Sequence, residues 1–161
     1  MEEPTREKFY EKYAWVILFV IGILIFFGGI PHMFGNNSDP ELVEIISGKT
    51  IQELKSSTPL FFDLYNFYFS GGGLSDVGVG FFLIVVSMFA YRTGQKWAWY
   101  SYWFVPLFFI GWLFLISPLP DLAQSMMFVP LILFVVSSLL GLLLPIRKFF
   151  PKKWHRIGFS Q

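Results

Sequence analysis

Four apolar runs constrain this chain more than any other feature. They read AWVILFVIGILIFFGGI (Ala14–Ile30), LSDVGVGFFLIVVSMFAY (Leu74–Tyr91), WAWYSYWFVPLFFIGWLFLI (Trp97–Ile116) and MMFVPLILFVVSSLLGLLL (Met126–Leu144). As helix, each is roughly 26–30 Å long, the thickness of a bilayer's hydrocarbon core. Only helices and closed barrels satisfy their backbone in that medium, and the runs lack the period-2 alternation of barrel strands. Composition agrees: 55% of the 161 residues are hydrophobic and 14% charged, against about a quarter charged in soluble domains. So much apolar surface cannot be buried inside so small a globule.

The expected fold is therefore all-α: an integral membrane four-helix bundle with a partly helical outer loop. The expected spans are about 14–34, 74–91, 97–116 and 126–145, all in one membrane domain covering 1–161. Residues 35–73 form the outer loop and 146–161 a basic cytoplasmic tail. Pro106 and Pro130, inside the third and fourth runs, are expected to kink their helices.

Lys and Arg set the orientation. Ten lie in the N-terminal tail, the Arg92–Lys96 connection and the C-terminal tail; only Lys49 and Lys55 lie in the other connections. The positive-inside rule places both termini and the Arg92–Lys96 turn in the cytoplasm, so the chain reads as a multi-pass protein of the cell membrane. The first run is expected to stay in the mature chain: its flank mixes Glu with its cations, and no small-x-small site follows it.

AYRTGQKWAWYSYW (Ala90–Trp103) crowds six rings around two cations. A ligand cage would gather its rings on one side, whereas these surround the helix. Tyr91, Arg92, Lys96, Trp97, Trp99 and Tyr100 are accordingly read as interface anchors at headgroup depth. The tail RKFFPKKWHRIGF (Arg147–Phe159) reads as a basic anchor on anionic lipid. With a net charge of +1, no nucleic-acid partner is expected.

The outer loop carries helix-start signals. Ser38-Asp-Pro-Glu41 and Thr50-Ile-Gln-Glu53 fit capping boxes, and Gly48 fits a helix end between them. Ser47–Thr50 (SGKT) imitates the end of a P-loop, but Val43 stands where that motif needs glycine. Leu60–Phe69 (LFFDLYNFYF) suits the outer interface. A single long helix from Pro59 to Tyr91 is the alternative.

Candidate site residues gather at the outer face. Asp76 heads the second span, sharing a face with Gly72, Gly80 and Ser87. It either caps the helix or serves as a ligand or proton site. His32 ends the first span on the face of Gly22 and Gly29, within reach of Asp76, with Asp63 and Asp121 expected on the same side. His155 is expected on the opposite side, so a haem held by both histidines of one chain is not expected. No nucleophile–base spacing, metal motif or mid-span carboxylate is present. No catalytic residue, metal or cofactor is expected.

DPELVEIISGKTIQELKSSTP (39–59) followed by YRTGQKWAWYSYW (91–103) resembles a group of small four-helix integral membrane proteins of bacteria and archaea. These are similar to DoxX-like proteins in size and helix count. The most specific part is Tyr91-Arg92-x-Gly94-x-x-Trp97-Ala98-Trp99-Tyr100. The resemblance implies the four-helix topology and brings no reaction with it. Three functions remain in view. The first is an accessory or scaffold subunit of a membrane complex, partnered by lipid and by other membrane proteins or its own copies. The second is a lipid-, quinone- or hydrophobic-ligand-binding protein. The third is a small oligomeric transporter using Asp76.

Overall fold

The computed structural model describes residues 8–34, 40–117 and 128–151. They are mostly helical, with no strand among them. In chain order the helices are α1 (Phe9–Met33), α2 (Pro40–Ser47), α3 (Ile51–Ser57), α4 (Pro59–Val86), α5 (Lys96–Tyr102), α6 (Phe104–Ile116), α7 (Phe128–Leu143) and α8 (Ile146–Phe149). A π turn, Ser87–Tyr91, extends α4.

Among the described residues, three helices are long and apolar enough to cross a membrane: Phe9–Met33, Pro59–Tyr91 and Lys96–Ile116. The fourth run appears as α7, 16 residues of apolar helix. The structure thus supports membrane residence and a helical fold, with three spans by length where four were expected.

The helix of the second span begins earlier than expected. Residues 59–91 are one helix of 33 residues, about 50 Å long. Leu60–Phe69 is therefore a rigid extension of the span rather than a separate interfacial segment, and the expected outer loop is shorter. The reason is packing. Gly73 sits directly against the last turn of α1 at His32 and Met33. A break there would orphan backbone groups at the membrane edge.

α1 and α4 run antiparallel and share the most extensive interface in the structure. Gly22 and Gly29 of α1 meet Gly80 and Gly73 of α4, both pairs spaced seven apart. A Cβ added at Gly29 would stand 2.8 Å from Gly73 O and from Asp76 Cβ. The two backbones touch, and only glycine allows it. The small face of α4 is thus Gly73, Gly80 and Ser87, all buried, while Gly72 points outward.

The other turns follow local chemistry. Pro106 has no N–H for Tyr102 O, and the helix breaks where that bond is missing: α5 ends at Tyr102, and Trp103 is a turn before α6. Pro130 lies in the first described turn of α7. Gly48 and Gly94, at φ +67° and +79°, end α2 and turn the Arg92–Lys96 hairpin. Thr50 and Glu53 form the expected capping box: Glu53 N–H donates to Thr50 Oγ1 (3.3 Å) and Thr50 N–H to Glu53 Oε2 (3.0 Å). The Ser38 box lies outside the described residues. The main core, from Leu18 through Val86, Tyr102 and Phe109 to Leu142 and Phe149, lies toward the hairpin end. There α1, α4, α5, α6, α7 and α8 converge.

Candidate functional site

Two polar regions stand out, one at each end of the α1–α4 pair. At the end away from the hairpin, Gly29 lets α4 approach so closely that Asp76 lies over α1, half-buried. His32 is one turn further along α1, within electrostatic range of the Asp76 carboxyl. Among the described residues, no hydrogen bond or ion pair joins the two. The His32 ring lies 4.7 Å from Phe69, which stacks on Tyr65 at 5.7 Å. The structure therefore brings His32 and Asp76 within electrostatic range of each other, with His32 against the Phe69 ring.

Asp63 does not join them. It is on the same unbroken helix as Asp76, thirteen residues earlier, so about 20 Å away along the axis. It is also exposed. Asp121 lies outside the described residues. Among the described residues, no three His, Asp or Glu side chains come close enough to hold a metal ion.

At the hairpin end, two residues expected at the interface, Tyr91 and Trp99, are core residues. Tyr91 is 1% exposed and Trp99 9%. Tyr91 Oη donates to Gly141 O (2.8 Å), and Trp99 Nε1 to Leu142 O (2.9 Å). These carbonyls end α7. Gly141 O would ordinarily receive the N–H four residues on, but that residue is Pro145, which has none. A phenol and an indole from the hairpin supply the missing donors. Tyr102, also buried, hydrogen-bonds Ser87 Oγ and donates to Leu83 O, beside the π turn. Tyr91 and Tyr102 meet edge to face at 5.1 Å.

The anchoring set is thus corrected at two positions. Tyr91 and Trp99 bind α7, because a buried Tyr or Trp needs a partner for its polar tip. Trp97, Tyr100, Arg92 and Lys96 are exposed. The Arg92 guanidinium lies 5.2 Å over the Trp15 ring and Lys96 Nζ 5.5 Å over Phe150, contacts that tie the hairpin to α1 and to the end of α8.

Sequence reasoning missed an open apolar groove of about 510 Å³ between α1 and α7. Val16, Val20 and Leu24 line one side, and Pro130, Leu133 and Ser137 the other. No local signal announces it, since it exists only where two helices diverge. Against known proteins, no family model, curated protein or solved structure matches the chain.

Proposed function

We propose that this is a multi-pass protein of the cell membrane that crosses it four times, with both termini and the Arg92–Lys96 hairpin in the cytoplasm. In this reading α7 is the fourth crossing. The chain performs no chemistry of its own and acts through packing, as an accessory or scaffold subunit of a membrane complex. The observation that carries this is the destination of the buried polar side chains. Ser87, Tyr91, Trp99 and Tyr102 each bond to backbone or to one another. None of them lines the groove. Their role is to lock helices together, as a scaffold requires. Purification in mild detergent followed by native mass spectrometry tests the reading. A second membrane protein in fixed stoichiometry is the expected result; this chain alone, at any copy number, would remove the proposal.

The groove favours a second reading, a lipid-, quinone- or hydrophobic-ligand-binding protein. Its walls are apolar, and it is wide enough to take a chain or ring from the bilayer. Mass spectrometry of organic extracts should then find one lipid or quinone enriched over bulk membrane. Val20→Trp should abolish the enrichment. Bulk composition in both samples would end this reading.

A further inference from the structure

α4 carries a second seam, on a face that α1 does not use. Leu60, Phe67, Leu74 and Phe81 alternate with Leu64, Gly71, Gly78 and Val85 at steps of four and three. That is a heptad repeat, with the first set at d and the second at a, sustained for about 38 Å. All but the half-buried Val85 are exposed, Leu60 at 82% and Phe67 at 73%. A Cβ added at Gly71 or Gly78 would meet nothing within 4 Å. Among the described residues, the substantial packing of α4 is with α1, α3 and the π turn.

Lipid does not account for the outer half of this seam. Gly73 packs on the end of α1, and the hairpin lies 18 residues further on, so residues 73–91 already span about 27 Å. Residues 59–72 continue about 21 Å beyond α1. Leu60, Leu64 and Phe67 therefore stand outside the hydrocarbon core, where exposed apolar side chains need protein to cover them.

We infer that a second copy of this chain covers the seam, through a parallel α4–α4 coiled coil about a two-fold axis along the membrane normal. Membrane insertion gives every copy the same orientation, so α4 meets its own copy in parallel. In a parallel pair each a faces a and each d faces d, so a heptad on one helix is complementary to itself. Gly71 and Gly78 let the two backbones approach, as Gly73 and Gly80 do toward α1 on another face. Asp63 falls at g and Tyr68 at the following e, positions that adjoin across such a seam, which gives the exposed carboxylate a hydroxyl donor. Leu60, Leu64, Phe67, Leu74 and Phe81 from two copies offer on the order of 1,000 Å², the size that a specific interface needs.

The chain has no cysteine, so introduced ones report cleanly. Single variants Gly71→Cys, Leu74→Cys and Gly78→Cys are oxidised in native membranes with copper phenanthroline. Gly72→Cys and Gly28→Cys, exposed and open positions off the seam, serve as controls. A disulfide needs Cα atoms about 4.4–6.8 Å apart. Seam variants should give an adduct of twice the chain mass in at least tenfold higher yield than the controls. Equal yields on and off the seam, no adduct, or an adduct of another mass would overturn the inference. In a second test, labelled chains are diluted in vesicles and pairing is read by energy transfer. Phe67→Glu, which sets two carboxylates against each other at a d position, should lower the paired fraction about tenfold with no change in the thermal midpoint of the monomer, where this side chain is exposed. Unchanged pairing would count equally against the seam.

Discussion

At the scale of single residues, Tyr91 and Pro145 form one chemical unit across the bundle. The proline withholds a donor from Gly141 O, and the phenol replaces it. Tyr91→Phe should cost about 1–3 kcal/mol, the penalty for a buried carbonyl without a donor. Restoring an N–H with Pro145→Ala should shrink that cost, so the two changes should couple in a double-mutant cycle on denaturation midpoints in detergent. Purely additive effects would show that the bond carries no weight. The orphaned carbonyl is legible in the sequence, since a proline just past a helix end withholds the N–H from the carbonyl four residues before it. Its donor, fifty residues away, is not. Rings beside cations at a helix end are the same pattern in an anchor as in a core residue, so Tyr91 and Trp99 read alike with Trp97 and Tyr100 until packing separates them.

At the scale of elements, α3 and the α1–α4 pair show opposite dependences on sequence distance. The start of α3 is decided within four residues. The Glu53 carboxyl is held below its usual range by the Thr50 backbone N–H and then by the Thr50 hydroxyl. Because the folded value is depressed, the cap stabilises fully at neutral pH. Its contribution is lost as pH falls through that depressed value, below the range of an unfolded glutamate. Hydrogen-exchange protection of residues 51–54 should therefore fall on acidification in the wild type and stay flat in Glu53→Gln. The α1–α4 contact is decided by register between distant segments. Gly29→Leu should destabilise by well over 1–3 kcal/mol, because the added atoms meet backbone that cannot yield. Gly28→Leu, into open space, should leave the midpoint within about 0.5 kcal/mol. Similar midpoints for the two variants would contradict the close packing of α1 and α4. The small residues of α4 were visible as a stripe in the sequence. Which of the adjacent Gly72 and Gly73 faces α1 was not, because they differ by only one residue in helical phase.

At the scale of the whole molecule, the cation asymmetry and the core both point to the hairpin end. Thr93→Cys in the hairpin and Lys49→Cys between α2 and α3 should react with an impermeant maleimide from opposite sides of the membrane, Thr93→Cys only after permeabilisation. Labelling of both from outside intact cells would overturn the proposed topology. The candidate site at the other end was partly legible. His32 and Asp76 lie within electrostatic range of each other there, with no hydrogen bond or ion pair between them. Asp63 was expected beside them only because a turn was allowed at the glycines, and an unbroken α4 carries it about 20 Å away.

The sequence by itself determined the medium and the elements. Long apolar runs without period-2 alternation satisfy their backbone in lipid as helices, and the proposed orientation rests on the charges beside them. Caps and glycine turns were equally local. Tertiary structure alone decided which glycines touch, which rings are buried, that residues 59–91 stay one rod, and where a groove opens between α1 and α7. All of these depend on the phase and spacing of one helix against another. Lipid tails are as apolar as the helix surfaces, so hydropathy does not distinguish a lipid-facing side from a packed one; only the fit of side chains and backbones does.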